Sequence, residues 1–263
     1  MEMNINRFLP GDHPWQNQII LLDRVESTNT LAKEMAKNGA PHGTVLLADC
    51  QTGGRGRLGR SFHSPAGMGI YMSVILRYTC SPEELMHLTC ACAVSVCDAV
   101  TEITDIRPDI KWTNDLIVGQ KKLAGILTEL VITGQETCAI VGIGLNVGQN
   151  SMDFDPQIRA IATSLRIILD QKVAREAVFD AILQKIYDMD QSLLTDKASI
   201  MERYRKDCIT VGKQISVVRG EDVRHGLALS VTDDGALLVR FDDGSVQEVN
   251  SGEVSIRGMY GYV

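Results

Sequence analysis

Three arginines, Arg55, Arg57 and Arg60, lie within six residues in the segment CQTGGRGRLGRSFHSP, residues 50–65. Guanidinium groups present rigid forks of donors that suit phosphate or carboxylate. The glycines between them let the backbone approach a ligand closely. Because the three cations repel one another, we expect the loop to be mobile without an anion. The segment predicts an anion-binding loop, with a solvated basic loop as the plain alternative.

The same segment matches the dinucleotide-binding pattern G-x-G-x-x-G between Gly54 and Gly59. A strand at 44–48 does precede it, but that pattern requires a helix after the last glycine. Pro65 and two further glycines prevent a helix there, and a ribose-binding acid about 20 residues on is missing. We therefore reject a dinucleotide fingerprint.

Three other segments add polar groups to apolar strands. KWTND, residues 111–115, places a cation, an indole, an amide and a carboxylate on one predicted strand. In KKLAGILTE, Lys122 comes just before two small residues, and GIGLNVG, residues 142–148, has glycines alternating along a strand that ends near Asn146. Glycines weaken a strand, so they suggest room for a ligand. Together with the loop these segments predict anion binding over a sheet. Taken singly, Lys122 could be a hairpin cation, Asn146 a strand-end cap and Asp115 a turn residue.

The composition excludes several classes of protein. The chain has 263 residues and a net charge of −7, with Lys+Arg 26 against Asp+Glu 33, which disfavours a general nucleic-acid binder or a basic RGG-type segment. The N-terminus has no apolar core typical of a signal peptide. The longest apolar stretch, around 88–100, is broken by Thr, Ser and Asp, so no membrane span is expected. The seven cysteines have no paired spacing, which fits a reduced cytoplasm.

Apolar periodicity predicts a mixed order of elements followed by a β-rich tail. The predicted strands are 19–25, 44–48, 69–78, 110–118, 122–132 and 137–147, and the predicted helices are 31–37, 82–102, 160–169, 174–195 and 198–208. Residues 1–17 are expected to be short and irregular. From Gln214 onward, short alternating runs are separated by Asp-Asp-Gly turns, which predicts a small β-barrel or SH3-like module.

The segments ESTN, CQTGGRGRLGRSFHSPAGMGIYMSVIL, KWTNDLIVGQKKLAGILTE, GIGLNVG and SGEVSIRG resemble those of biotin–protein ligases in sequence and in order. This resemblance implies an α+β fold: residues 1–210 as a mixed sheet with helices, similar to lipoate ligases and class II synthetases, and residues 211–263 as an SH3-like β-barrel. The family makes biotinyl-5′-AMP from biotin and ATP. It then transfers biotin to one lysine of biotin carboxyl carrier protein.

The resemblance also implies roles for residues. Lys122 and Arg57 are the expected catalytic cations. The expected biotin-binding residues are Ser27, Thr28, Asn29, Gln51, Gly54, Arg55, Gly56, Arg57, Lys122, Gly125, Gly142 and Gly144. The expected nucleotide-binding residues are Arg57, Arg60, Phe62, Lys122 and Asn146, and Asn114 and Asp115 are candidate Mg²⁺ ligands.

The expected cofactors are ATP, biotin and Mg²⁺, and the expected partner is the carrier protein of acetyl-CoA carboxylase or a related biotin-dependent enzyme. Since residues 1–17 leave no room for a helix-turn-helix domain, a monofunctional cytoplasmic ligase without DNA or membrane binding is expected, and a homodimer is compatible with the family. Two positions depart from the family pattern: Thr113 replaces a proline, and Phe62 replaces a tryptophan. The alternatives are a lipoate or octanoate ligase of the same fold and a non-catalytic biotin-binding module.

Overall fold

A seven-stranded mixed sheet carries most of the fold in the computed structural model, which describes residues 11–134 and 136–250 and the backbone of 255–258. Its strands are β1 (Ile19–Val25), β2 (Thr44–Gln51), β3 (Gly69–Tyr78), β4 (Asp109–Lys111), β5 (Asp115–Val118), β6 (Lys121–Thr133) and β7 (Glu136–Asn146). The order across the sheet is β1-β2-β3-β7-β6-β5-β4. Strands β1 and β2 are parallel and the other pairs are antiparallel.

One face of the sheet is covered by helix α1 (Thr28–Lys37), which connects the parallel strands β1 and β2. Ser27 begins the helix as an extended N-cap whose side chain accepts from the Thr30 N–H. The helix buries Ala32 and Ala36 against alternate residues of β2, β3 and β7. Its first turn therefore lies directly over the sheet, close to the central strands.

The opposite face is covered by helices α2 (Leu88–Thr104), α4 (Arg175–Ser192) and α5 (Lys197–Asp207). The short helix α3 (Leu165–Leu169) lies near the end of β7. Helix α4 buries one apolar stripe, Val178, Ala181, Ile182, Ile186 and Met189, and Leu193 just after its end is buried as well. Within the described residues, Pro82–Thr104 is the one helical stretch long and apolar enough to cross a membrane, and 67% of its most apolar window is buried inside the protein.

The sequence prediction of one strand over 110–118 is wrong. The chain instead forms the antiparallel pair β4 and β5, joined by a turn at 112–114. The reason is that this stretch bonds outside the sheet: the Trp112 N–H donates to Thr210 Oγ1 at 2.9 Å, and the Thr113 carbonyl accepts from the Tyr204 hydroxyl at 2.9 Å. These bonds draw the chain out of the ladder, so KWTND is a turn between strands.

The predicted helix over 160–169 is also shorter than expected. It is helical only over Leu165–Leu169, because Ser164 caps it by accepting from the Ile167 N–H at 3.2 Å. The residues before the cap pair with β6 instead: the Lys122 N–H donates to the Ile161 carbonyl at 2.7 Å, and the Thr163 N–H donates to the Lys122 carbonyl at 2.9 Å. This segment therefore borders the sheet near Lys122.

The predicted β-rich tail forms a separate five-stranded antiparallel sheet. Its strands are β8 (Gln214–Arg219), β9 (Asp222–Val231), β10 (Leu237–Phe241), β11 (Val246–Val249) and β12 (Ser255–Gly258), in the order β11-β10-β9-β8-β12. Both Asp-Asp-Gly segments are turns, with positive φ at Gly235 and Gly244. The predicted α+β fold class is therefore confirmed. The expectations for residues 1–10 and for 251–254 of SGEVSIRG lie outside the described residues.

Candidate active site

A pocket of about 270 Å³ opens on the α1 face of the sheet, between the first turn of α1 and the loop 51–68. The strand register builds its floor, because directly paired residues point to the same face. Ser73, Gly142 and Leu127 form one row across β3, β7 and β6, and Tyr71, Gly144 and Gly125 form the next. Because glycine has no side chain, the glycines in both rows leave space above the sheet.

Nearly all of the predicted site residues line this one pocket. They are Ser27, Thr28, Asn29, Gln51, Arg55, Gly56, Arg57, Arg60, Phe62, Asn114, Asp115, Lys122, Gly125, Gly142, Gly144 and Asn146. Gly54 is the exception. It is buried under the returning arm of the loop, where a Cβ atom would lie 2.4 Å from the Phe62 carbonyl oxygen. Gly54 therefore shapes the loop from behind the pocket wall.

Thr28, Asn29, Gln51 and Ser73 form an uncharged region of the pocket, here called the polar end. The Thr28 N–H donates to Gln51 Oε1 at 2.8 Å, and Gln51 Nε2 donates to Ser64 Oγ at 3.0 Å. The hydroxyl of Ser73 lies 2.7 Å from Thr28 Oγ1 and 2.6 Å from Asn29 Oδ1. Thr28, Asn29 and Ser73 are each less than 5% exposed. The polar end is therefore a buried and internally bonded surface.

A second region, here called the cationic end, has the opposite character. Among the described residues, five cationic side chains and the carboxylate of Asp115 line the pocket, although the chain as a whole carries a net charge of −7. The cations are Arg55, Arg57, Arg60, Lys111 and Lys122. Such a concentration of positive charge in a concave site attracts anions.

Lys122 lies at the start of β6, after the tight turn at Gly119 and Gln120. A register shift in β5 and the backbone bonds to 161–163 hold its main chain on both sides. Its Nζ lies 2.6 Å from Asp115 Oδ1 and 6.0 Å from the centre of the Phe62 ring. The ammonium group is thus held inside the pocket by a carboxylate and an aromatic face.

Arg57 is positioned by the turn that precedes β5. Its Nη1 donates to Asn114 Oδ1 at 3.0 Å, while Asn114 Nδ2 donates to the Ile126 carbonyl at 2.7 Å. Burial lowers the pKa of Arg57, and burial also lowers the pKa of Lys111. The backbone of Leu58, next to Arg57, has φ 54, in the left-handed region where non-glycine residues are uncommon. Desolvation of these cations strengthens their attraction for a bound anion.

The two glycines predicted to let a ligand lie on the sheet are covered by protein side chains. A Cβ atom on Gly142 would lie 2.1 Å from Asn29 Oδ1, and one on Gly144 would lie 2.6 Å from the Phe62 ring. The Phe62 ring also makes an edge contact with Tyr71, with ring centres 6.4 Å apart. A ligand lying on Gly144 must therefore displace the Phe62 ring.

Asn114 and Asp115 do not form a magnesium site in this arrangement. The oxygen of Asn114 accepts from the Arg57 guanidinium, and Asp115 pairs with the Lys122 ammonium. In the part of the chain that the structure describes, no group of three or more His, Cys, Asp and Glu side chains is arranged to hold a metal ion. The donor atoms proposed for Mg²⁺ are thus engaged by cations, which compete with a metal.

Asn146 is buried at the end of β7, with both ends of its amide engaged by protein. Its Nδ2 donates to the Thr163 carbonyl at 3.0 Å, and its Oδ1 accepts from Gln149 at 3.1 Å. Sequence reasoning missed the neighbouring wall, which is formed by Phe154, Ile158, Ile161 and Ala162. That segment has no periodic pattern, and its pairing with β6 is not visible from local sequence.

In the fold as described, an uncharged polar region and a cluster of cations lie side by side in one pocket over one sheet. A sequence model described as "Biotin/lipoate A/B protein ligase family" matches residues 21–146. Another, described as "Biotin protein ligase C terminal domain", matches residues 210–257. The second match covers the β8–β12 sheet and the first covers the strands and loop that build the pocket.

Individual relatives point the same way. The bifunctional ligase/repressor BirA of Bacillus subtilis is 35% identical over 243 residues, covering 90% of this chain and 74% of the relative. The biotin–[acetyl-CoA-carboxylase] ligase of Mycobacterium tuberculosis is 31% identical over 263 residues, covering 96% and 94%. The structure of the biotin protein ligase from Aquifex aeolicus in complex with biotin and ATP has a TM-score of 0.78 and 32% identity, covering 92% of this chain and 99% of that chain. The chain belongs to the biotin–protein ligase family.

Proposed function

We propose that this chain activates biotin with ATP as biotinyl-5′-AMP and then transfers biotin to a lysine of a carrier protein. The observation that carries the proposal is the pairing of a buried polar end with a cationic end in one pocket. Biotin has an uncharged polar ring at one end and a carboxylate at the other. Its length can therefore run from the polar end to the cations.

In the first step the biotin carboxylate attacks the α-phosphate of ATP, forms a C(O)–O–P bond and releases pyrophosphate. Two anions must approach each other, so catalysis depends on holding them in line and neutralising their charge. The Lys122 ammonium lies beside Gly125 and Asp115, and Asp115 directly follows the turn that positions Arg57. We assign both cationic side chains to the carboxylate and the α-phosphate. Arg55 and Arg60 carry the remaining positive charge of the loop.

In the second step a lysine amine of the carrier attacks the carbonyl carbon of biotinyl-5′-AMP. A C–N bond forms, the C–O bond to phosphate breaks, the amine loses a proton and AMP leaves. We assign to Lys122 and Arg57 the stabilisation of the negative charge that develops on the carbonyl and phosphate oxygens. On this proposal the same cations serve both steps.

Phe62 and Asn146 are proposed to face the nucleotide. The Phe62 ring rests on Gly144 and is only partly buried, so it can swing outward over an adenine base. The Asn146 amide is already bonded to the Thr163 carbonyl and to Gln149. Its proposed role is therefore to position the segment around Thr163 beside the nucleotide. We derive no step through Mg²⁺, since Asn114 and Asp115 do not fit it.

The wider assignments follow from the same proposal. The partner is the carrier protein of acetyl-CoA carboxylase or a related biotin-dependent enzyme, and the chain divides at about residue 210 into a catalytic and a C-terminal domain. All seven cysteines are free thiols, which supports a reducing cytoplasm. The expectations of a homodimer and of no DNA binding stay predictions.

Mass spectrometry of a carrier domain incubated with the chain and ATP tests the proposal. The expected result is a mass gain equal to one biotinyl group, that is, biotin less one water, and the gain requires both biotin and ATP. A carrier whose acceptor lysine is replaced by arginine should gain no mass. A gain with lipoate or octanoate in place of biotin would favour the lipoate alternative, and biotin binding without transfer would favour a non-catalytic module.

A further inference from the structure

The amide of Asn29 can adopt only one orientation at the polar end. Its Nδ2 lies 3.1 Å from the Leu127 carbonyl oxygen and 3.0 Å from Glu129 Oε2. Both neighbours are acceptors, so turning the amide over would press Oδ1 against two other oxygens. Nδ2 therefore donates both of its protons here, and Oδ1 faces Ser73 as an acceptor.

Glu129 is an ionised carboxylate and holds this orientation from the edge of the pocket. Its Oε1 lies 2.8 Å from Lys33 Nζ, on the exposed side of α1. Burial opposes the charge, but the hydrogen bonds from Lys33 and Asn29 outweigh it and bring the pKa of Glu129 below its usual value. An ionised carboxylate accepts hydrogen bonds and donates none, so Asn29 always meets an acceptor there.

The hydrogen bonds of Ser73 fix the direction in which the Thr28 hydroxyl donates. The Ser73 side chain is fully buried and has a single hydroxyl proton, with Asn29 Oδ1 at 2.6 Å and Thr28 Oγ1 at 2.7 Å. Because Asn29 Oδ1 cannot donate, the Ser73 proton goes to Asn29. The contact between the two hydroxyls then requires the proton of Thr28.

The Thr28 oxygen is left with lone pairs alone toward the pocket. It also lies 3.1 Å from Gln51 Oε1, which accepts from the Thr28 N–H at 2.8 Å and has a second lone pair, so two acceptors compete for the hydroxyl proton of Thr28. A threonine hydroxyl has one proton, and Ser73 takes it at the shorter distance. Thr28 therefore accepts from whatever lies beside it in the pocket.

We propose that Glu129 and Ser73 are positioning residues that make Thr28 an obligatory acceptor, so that the polar end selects a ligand ring with an N–H donor. The chain of hydrogen bonds runs from Glu129 through Asn29 and Ser73 to Thr28. A cyclic urea, as in biotin, supplies such an N–H, whereas a ring oxygen at the same place would face another oxygen. This inference rests on the proposed placement of the biotin ring at the polar end.

The test measures dissociation constants for biotin and for two analogues in which one or the other ring N–H is replaced by oxygen. This replacement changes donor to acceptor with little change in shape. For the analogue whose oxygen meets Thr28, the wild-type protein should bind roughly 10- to 100-fold more weakly than biotin. In Ser73→Ala the Thr28 proton is released and can donate to that oxygen, so the difference should fall to about threefold or less.

Ser95→Ala is the matched control for Ser73→Ala. Ser95 is a buried serine on α2 that donates to the Ala91 carbonyl at 3.0 Å, away from the pocket. It should keep the wild-type preference for biotin. Thermal unfolding of both variants separates loss of fold from loss of selectivity.

Glu129→Ala tests the first member of the series of hydrogen bonds. The Glu129 side chain is 24% exposed, so this substitution disturbs the core less than Ser73→Ala does. The preference for biotin over the analogue should fall, but by less than in Ser73→Ala, because the Leu127 carbonyl at 3.1 Å still favours the same orientation of the Asn29 amide. Its control is Glu136→Ala on β7, which removes a similar ion pair with Arg77 at 2.8 Å. The control should leave the preference unchanged.

Two results would overturn the inference. One is an unchanged preference in both Ser73→Ala and Glu129→Ala, and the other is a wild-type protein that binds both analogues as tightly as biotin. In either case the wild type still adenylates biotin, so the proposed function stands. A wild type that neither binds biotin nor releases pyrophosphate from ATP would remove the proposed function and this inference together.

Discussion

The two ends of the pocket are built by different means. At the polar end, side chains from α1, β2 and β3 bond one another, and those of α1 and β3 are almost entirely buried. At the cationic end, Arg55 and Arg60 are exposed on a glycine-rich loop, and Lys122 and Arg57 are held by Asp115 and Asn114 respectively. The polar end is therefore complete before a ligand arrives, whereas the cationic end needs an anion to neutralise its charges. On the proposed function, recognition of biotin depends on the polar end and the chemistry depends on the cationic end.

Lys122→Ala should show the largest effect, because it removes a cation that we assign to the two reacting anions. We expect a loss of roughly 3 to 4 kcal/mol of transition-state stabilisation, or about 10²- to 10³-fold in the rate of pyrophosphate release. Stability should change by about 1 kcal/mol or less, since the ion pair with Asp115 is partly exposed. Arg57→Ala should behave similarly.

Lys121→Ala provides the comparison for Lys122→Ala. Lys121 is exposed in the same turn and lies outside the pocket wall. It should be nearly silent in rate and within about 0.5 kcal/mol in stability. Equal damage from the two substitutions would contradict the assignment of Lys122.

Gly142→Ala should damage the polar end and leave the cations in place. The added Cβ atom would lie 2.1 Å from Asn29 Oδ1, so the Asn29 amide must move. We expect a stability cost of about 1 to 3 kcal/mol from overpacking. Calorimetry should also show weaker biotin binding, by about tenfold, for an amide hydrogen bond disturbed at about 1.4 kcal/mol.

Gly148→Ala is the control for Gly142→Ala. Its nearest neighbour would be the Met68 carbonyl oxygen at 3.6 Å, which is an ordinary contact. Biotin affinity should be unchanged. If both alanines weakened binding alike, crowding of Asn29 would not be the cause.

The smallest effect concerns the His42–Asp190 pair, which lies outside the pocket. A pH change there should alter the free energy of unfolding and leave both ends of the pocket unchanged. His42 bonds Asp190 at 3.0 Å, and this hydrogen bond raises the pKa of His42 above its ordinary value of 6.5. The folded state therefore binds the proton more tightly than the unfolded state. The stabilisation is fully present below about pH 6.5 and is lost as the pH rises through the folded pKa.

The measurement is the difference in free energy of unfolding between wild type and His42→Gln at pH values below and above the folded pKa of His42. We expect this difference to be about 1 kcal/mol or less and to be larger at low pH. The comparison with the variant is necessary because burial lowers the pKa of His13 and of His87, which gives the opposite slope. A difference independent of pH would show that His42 does not carry this effect.

The cationic end could be predicted from sequence because its residues fall in two short segments of the chain, 55–60 and 111–122. Arginines spaced by glycines and a lysine after a turn indicate their chemistry locally, and the structure places them in one pocket. The strand order of the large sheet and its shared face with α1 were not predicted from residues. They depend on which strands pair, and sequence periodicity does not contain that information.

The polar end shows what local sequence cannot supply. Asn29 and Glu129 are 100 residues apart, and their contact exists because β6 and α1 meet over β7. The turn at 112–114 was missed for a similar reason, since its partners Tyr204 and Thr210 come from α5 and from the chain just after it. Such contacts follow from tertiary packing, which overrides the local strand pattern.

Hydrogen exchange with and without a non-hydrolysable analogue of biotinyl-5′-AMP tests the difference between the two ends most directly. Amides of the 51–68 loop should be weakly protected in the free protein and gain protection on binding. Amides of β3 and of α1 beyond its first turn should be protected in both states. Equal protection of the loop in the two states, or a large gain in β3 and α1, would contradict a preformed polar end beside a cationic end completed by its ligand.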